Sequence, residues 1–279
     1  MKKRILVIDN NPLILIWMEE LLKNKGHSVL TAEDGLSALA ILKTYIPDII
    51  FTDLIMPNID GKKLCQIIRK IPELKDIYIV ILSAASTEEI ERLTGYGADV
   101  CISKGPFSKM SPHILKVVEK ADRKTSEGLQ NKIIGSNGIQ PRQITKELLS
   151  VKSHFEAILE GLSECILEIN PDLKIVYTNP AAISLIGMSE EKILGSDFIE
   201  LLQEKDRPRV KGFLSTLDKS PIKIDEDSPV MLNGKEVLLT IIPIQHDDYL
   251  STIILLNNNN EHGKDRYGEG SESGWDPLK

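Results

Sequence analysis

The chain has 279 residues, with 34 Lys/Arg against 41 Asp/Glu and 42% hydrophobic residues, enough for two ordinary domains that each bury a core without staples. Its three cysteines, Cys65, Cys101 and Cys165, are far apart and form no CxxC pair, which excludes a disulfide framework and a structural zinc site. No apolar run approaches the ~20 residues of a membrane span, and Met1-Lys2-Lys3-Arg4 leads into a short strand, so a soluble, cytoplasmic chain without a membrane partner is expected.

Residues 1–125 alternate short apolar runs with amphipathic stretches five times, which predicts an α/β, doubly wound (βα)5 parallel sheet. The predicted strands are Ile5 to Asp9, Ser28 to Thr31, Ile49 to Asp53, Tyr78 to Ser83 and Val100 to Ser103. Helices are predicted from Leu13 to Asn24, Leu36 to Thr44, Lys62 to Ile71, Glu88 to Tyr96 and Ser111 to Arg123, with Gly26, Pro47 and Gly97 as breaks.

Residues 126–140, with Gly128, Gly135, Ser136, Asn137 and Gly138, lose periodicity and read as a flexible linker ending at Pro141, which suits the first turn of a new helix. In the helix predicted over 141–162, Ile144, Leu148, Val151, Phe155, Ile158 and Leu162 recur at coiled-coil spacing, and such a seam wants a partner helix. A homodimer through this seam is expected.

From 163 to 257 the pattern is antiparallel α+β, with strands at Cys165 to Ile169, Ile175 to Thr178, Val230 to Leu232, Val237 to Ile244 and Ser251 to Leu256. Residues 258–279 are polar, with Trp275 alone near their end, and read as a disordered tail. The half from 126 to 279 holds 16 Lys/Arg against 25 Asp/Glu, a net charge of −9. It has no basic face and no helix-turn-helix pattern, so no nucleic acid is expected as a partner.

The polar residues that carry chemistry fall at the C-terminal ends of the predicted parallel strands, where open α/β sheets bind ligands. Asp9 ends the first strand, Asp53 the third and Ser83 the fourth, and Lys104 follows the fifth. A carboxylate nucleophile, a second carboxylate able to hold a hard cation, a hydroxyl and an ammonium suit phosphoryl transfer. Taken singly, a loop Asp caps helices and a loop Lys is solvated; four such residues at four strand ends, in order, outweigh that reading.

These residues, with the runs Ile5-Leu6-Val7-Ile8-Asp9, Asp53-Leu54-Ile55-Met56-Pro57-Asn58-Ile59-Asp60-Gly61, Leu82-Ser83-Ala84 and Lys104 with Pro106-Phe107, resemble the receiver domain of two-component response regulators over about residues 3–122. The resemblance implies a receiver domain over 1–125 with a flavodoxin-like fold. It also implies Asp53 as the phosphoacceptor for a histidine kinase or phosphotransfer protein, Ser83 as the switch hydroxyl and Lys104 as the phosphate contact. A Mg²⁺ site of Asp9, Asn10, Asp53 and the Ile55 backbone carbonyl follows in the same way. The chain is then a signalling component and not an enzyme.

Three positions depart from the family. Asn10 stands where receivers usually carry a second acid that ligates the metal, so weaker Mg²⁺ binding is expected. Cys101 replaces the usual Tyr or Phe three residues before the lysine and reads as a small core residue. Lys104-Gly105-Pro106 replaces Lys-Pro, so the usual cis peptide does not follow. The alternative kept open is a phosphate-independent receiver fold serving as an interaction and dimerisation module with its neighbour.

The run Glu164-Cys165-Ile166-Leu167-Glu168-Ile169-Asn170, then Ile175-Val176-Tyr177-Thr178-Asn179-Pro180-Ala181-Ala182, then Ile186-Gly187-Met188-Ser189-Glu190-Glu191-Lys192-Ile193-Leu194-Gly195, is similar to a PAS domain, and 163–257 is assigned to one. The resemblance implies a five-stranded antiparallel sheet around an apolar pocket whose ligand is unknown. Cys165 lies on a strand and not in a flavin-reactive N-C-R-F-L run, and no histidine occupies Arg207-Pro208-Arg209-Val210-Lys211, so neither flavin nor haem is expected. His246 reads as an exposed strand-end residue. Ser153-His154-Phe155-Glu156 is faintly similar to a kinase phosphoacceptor helix, but no Arg-Thr-Pro continuation or nucleotide lobe follows, and His154 reads as a helix surface position.

Overall fold

In the computed structural model the described residues are 1–83, 97–121, 132–134, 143–215, 222–223, 229–246 and 249–258. The first unit runs β1 (Arg4–Ile8), α1 (Pro12–Lys23), β2 (Ser28–Ala32), α2 (Gly35–Leu42), β3 (Ile49–Asp53), α3 (Gly61–Lys70), β4 (Tyr78–Ser83), β5 (Val100–Ser103), α4 (Phe107–Lys120) and β6 (Lys132–Ile134). The strands pair in the order β2-β1-β3-β4-β5-β6, all parallel. This is the doubly wound α/β sheet that the alternation predicts. The helix expected from Glu88 to Tyr96 lies outside the described residues.

The central strands β3, β4 and β5 are buried at every residue, as a parallel sheet covered on both faces requires. Alternation along the strands divides the core in two. Ile5, Val7, Phe51, Val80 and Ile102 pack with α1 and α4, whereas Leu6, Ile8, Ile50, Ile79, Ile81 and Cys101 pack with α2 and α3. Helix starts are set by short polar side chains that accept from exposed backbone amides: Asn11 from Leu13, Asp34 from Ser37 at 2.7 Å, and Asp60 from Lys63 at 2.7 Å.

Two local features differ from the sequence expectation. Helix α4 starts at Phe107, a turn before the expected Ser111, and runs through Pro112. Proline removes a single amide donor here, and the Ser111 hydroxyl donates to the Phe107 carbonyl at 2.8 Å. Within the segment read as linker, Lys132–Ile134 forms β6 and adds a parallel strand to β5, in the register Val100 to Lys132 and Ile102 to Ile134.

The second unit comprises α5 (Gln143–Gly161), β7 (Cys165–Ile169), β8 (Ile175–Thr178), α6 (Pro180–Ile186), α7 (Glu190–Ile193), a 3₁₀ turn (Phe198–Leu201) and α8 (Arg207–Ser215). It then continues through β9 (Ile222–Lys223), β10 (Val230–Leu232), β11 (Lys235–His246) and β12 (Tyr249–Asn258). The order β10-β11-β12-β7-β8 is antiparallel throughout, and the short β9 joins it by pairing with β11. Asn233 and Gly234 turn the β10–β11 hairpin with φ of 45° and 83°, the two left-handed residues that a tight two-residue hairpin demands. Of the tail expected over 258–279, Asn258 ends β12, paired with Val237, and the rest lies outside the described residues, as does the His246 side chain.

Asn179 ties this unit together. Its fully buried side chain accepts from the Ile166 and Ala182 amides at 3.0 Å each and donates to the carbonyls of Leu159 at 3.2 Å and Glu164 at 2.7 Å. One amide group thus joins the end of α5, the start of β7 and the N-cap of α6.

Asn179→Ala leaves buried backbone donors and acceptors unpaired and is expected to destabilise the protein by about 3 kcal/mol, read from the urea midpoint. Asn179→Asp keeps the two accepted bonds but sets a buried carboxylate oxygen against the Leu159 and Glu164 carbonyls, and should lose at least as much.

Candidate functional site

The strand order reverses at β1, with β2 on one side and β3 on the other, so the loops after β1 and β3 diverge and leave a crevice at the carboxyl edge. Asp9 follows β1, Asp53 closes β3, Ser83 closes β4 and Lys104 follows β5. Asp9 and Asp53 are 0% and 9% exposed, too deep for either carboxylate to be solvated freely. The Lys104 ammonium lies 2.8 Å from Asp9 Oδ2 and 2.8 Å from Asp53 Oδ2.

The loops hold these groups rigidly. Asp9 Oδ1 accepts from the Asn11 amide at 2.9 Å, and Asp53 Oδ1 accepts from the Leu54 amide at 2.7 Å. The Lys104 amide donates to the Ser83 carbonyl at 2.7 Å, which locks β5 to β4 beside the ammonium. The Gly61 amide donates to the Leu54 carbonyl at 3.1 Å, and a Cβ at Gly61 would fall 2.0 Å from the Asp53 carbonyl oxygen. Only glycine permits that approach of α3 to the Asp53 peptide.

Burial holds the Asp53 carboxyl above its ordinary value; the Lys104 ammonium offsets part of this and the Asp9 charge adds to it. Asp9 Oδ2 is buried and, although the ammonium is near, receives no aligned hydrogen bond. An under-coordinated buried carboxylate oxygen next to a second carboxylate is a donor set that fits a hard divalent cation. Asn10 is exposed at the rim and Ile55 is half-buried. Among the described residues no three acidic, imidazole or thiol groups converge. Cys65 and Cys101 are buried, and burial pushes both thiols up to about 12, which makes them inert core residues. No cis peptide occurs among the described residues.

Sequence reasoning missed a second charged set, which lies between the two units. Lys62 on α3 contacts Glu156 on α5 at 3.0 Å, and Lys152 on α5 contacts Asp60, the α3 N-cap. Lys63 and Lys70 both reach Glu190, the first residue of α7, the latter at 2.9 Å. Burial would raise the Glu190 carboxyl, but the two lysines more than offset it and hold it below the ordinary range. The signal available in sequence was one-sided: Lys63 and Lys70 are seven apart and share a helix face, but nothing local names Glu190 as their partner.

The sequence matches the response regulator receiver domain over residues 5–113 and the PAS fold over residues 153–219. It is 34% identical over 173 residues to the probable transcriptional regulator ycf27 of Porphyridium aerugineum, covering 60% of this chain and 70% of that protein. It is 29% identical over 174 residues to the alkaline phosphatase synthesis transcriptional regulatory protein PhoP of Bacillus subtilis (strain 168), covering 61% and 68%. The chemotaxis protein CheY4 of Vibrio cholerae superposes with a TM-score of 0.41 at 25% identity, covering 44% of this chain and 100% of that one.

Because the folded state raises the Asp53 pKa, it binds a proton more tightly than the unfolded chain does. Stability therefore falls as pH climbs from the ordinary aspartate value of 3.8 through the raised one. Without divalent cations, Asp53→Asn should have a higher urea midpoint than the parent at neutral pH, and the gain should vanish below pH 3.8.

Proposed function

The chain belongs to the response-regulator family, and from that premise we propose that its receiver half takes a phosphoryl group on Asp53 from a histidine kinase or phosphotransfer protein and signals to its PAS half. The observation that carries this reading is the buried meeting of Asp9, Asp53 and Lys104 at the strand ends. Asp53 Oδ1 is engaged by the Leu54 amide, which leaves Oδ2, facing Lys104, as the nucleophile. Attack on a phosphohistidine forms the O–P bond of an acyl phosphate and breaks the N–P bond, and the departing imidazole takes a proton from water. Lys104 neutralises charge gathering on the phosphoryl oxygens, and Ser83 supplies a hydroxyl beside them.

Asp9, Asn10, Asp53 and the Ile55 carbonyl would hold Mg²⁺, which supplies charge neutralisation at the transferred group. Asn10 contributes an oxygen without charge, so the affinity is weak. That same residue favours the second reading, a receiver fold that docks partners without phosphate. On either reading the chain is a cytoplasmic signalling component and not an enzyme. The net charge of −9 on residues 126–279 opposes direct nucleic-acid binding by this half.

We assign the PAS half no cofactor. The proposed domain limits remain 1–125, 126–140 with its short β6, 141–162, 163–257 and 258–279. On α5, Val151, Phe155 and Ile158, with Leu162 just beyond it, present exposed apolar side chains, and these support a homodimer through the seam that includes Ile144 and Leu148. Among the described residues no helix is long and apolar enough to cross a membrane.

Incubation with acetyl phosphate and Mg²⁺ should add one phosphoryl mass to the parent and none to Asp53→Asn, while Asn10→Asp should label faster at limiting Mg²⁺. Full labelling of Asp53→Asn would overturn the site, and an unlabelled parent would leave the phosphate-independent reading. In sedimentation, the parent is expected as a dimer and Phe155→Glu, which places a charge in the seam, as a monomer; a monomeric parent removes the dimer.

A further inference from the structure

The start of α3 is mechanically part of the Asp53 loop. The Gly61 amide is bonded to the Leu54 carbonyl, and the missing Cβ leaves no slack against the Asp53 peptide. A displacement of that peptide must therefore carry α3 with it. The exposed face of α3 is basic, and the surface it meets is acidic. Lys62 pairs with Glu156, and Lys63 and Lys70 pair with Glu190. Lys152 of α5 reaches back to Asp60, at the point where α3 begins.

This junction combines charge with apolar packing, for Leu36 on α2 lies against Gly195 and the apolar cluster under α2 and α3 continues into the PAS half, while the ion pairs lie on the α3 side. A cavity of about 640 Å³ opens between α3 and the PAS half, lined by Lys63, Gln66, Lys70, Glu160, Ile183 and Glu190. Tyr177 of β8 keeps a buried hydroxyl with no hydrogen-bond partner among the carboxylates of Glu160, Glu156, Glu190 and Glu168. The cavity beside Glu160 and Glu190 leaves room for the acidic side chains to move, and the unsatisfied Tyr177 hydroxyl lies within electrostatic reach of Glu160 and Glu156. The free edge of β5, by contrast, is covered by β6.

From this arrangement we infer that the basic face of α3 is the receiver's output surface, and that its partner is the acidic face of the same chain's PAS half, built from Glu156 on α5 and Glu190 on α7. The pairs sit at contact distance, so a shift of α3 away from the PAS half when Asp53 gains its phosphoryl group lengthens them. Phosphorylation opens the clasp. Ion pairs that remain partly exposed are individually weak, which makes the junction releasable. The α5 face engaged by the receiver is not the seam of Val151, Phe155 and Ile158, so release can turn α5 without breaking its apolar face.

The coupling rests on the phosphoacceptor reading, and the experiment separates the two. The full chain, with acetyl phosphate and Mg²⁺, is followed by intact mass for the adduct and by amide hydrogen exchange over α5. Exchange in α5 should accelerate roughly two- to fivefold with the adduct, the factor expected for losing one weak ion pair. Without phosphodonor, Lys62→Glu alone and Glu156→Lys alone should each reproduce that acceleration, and the combined reversal Lys62→Glu with Glu156→Lys should restore slow exchange. An adduct without change in α5, or a combined reversal that stays fast, overturns the clasp. Absence of an adduct overturns the phosphoacceptor reading alone, and the reversal set then decides the clasp.

Discussion

Two carboxylates buried a few ångströms apart repel each other and lose hydration, and one ammonium placed between them lets both remain in the fold. Lys104 meets Asp9 and Asp53 at 2.8 Å each. At an effective dielectric of ~20, each attraction is of order 5 kcal/mol before desolvation is subtracted. The raised Asp53 pKa shows that the subtraction is incomplete: burial and Asp9 together outweigh the lysine. The sheet exists at this edge in the shape that brings β1, β3 and β5 into register for this contact. Gly61 and the Leu54 amide then fix the loop that carries Asp53.

The two halves of the molecule are stabilised differently. Each sheet is closed by large side chains at most 2% exposed, such as Phe51 and Tyr78 in one and Phe198 and Leu239 in the other. Between them an apolar contact of Leu36 with Gly195 is joined by lysines and glutamates around a sizeable cavity. Packed cores are bistable or rigid, whereas solvated charge pairs break at small cost. On the proposed signalling role, the charged part of this junction would give way before the apolar part, so a small movement of α3 would register first as lost ion pairs.

The site was legible in the sequence because its residues are placed by a rule of topology: in a parallel sheet the strand ends share one edge. Asp9, Asp53, Ser83 and Lys104 could be set there once the strands were recognised. The five strands of the first unit were legible because Ile49 to Phe51 and Tyr78 to Leu82 are unbroken apolar runs, the mark of strands buried on both faces. Three-residue β6 has too few residues to show a period, and its pairing is a long-range choice made by the β5 edge. Helix α4 was begun a turn late because Pro112 reads as a first-turn proline, a position it could hold equally well. The clasp was illegible for a different reason. Lys62 and Glu156 are 94 residues apart, and no local pattern links charges on separate units.

Asn10 acquires its meaning from the charge balance around Lys104. With two carboxylates and one ammonium, all ionised, the pocket carries a single net negative charge. A third acid at position 10 would double that deficit and deepen the attraction for a divalent ion. The amide removes the added charge and keeps an oxygen. Because Asn10 is exposed at the rim while Asp9 Oδ2 stays buried without an aligned donor, the remaining attraction for a cation comes from inside the pocket. On the proposed metal site, metal affinity and apo stability are therefore opposed through one side chain. In this chain the balance has moved toward a pocket that holds together on its own lysine.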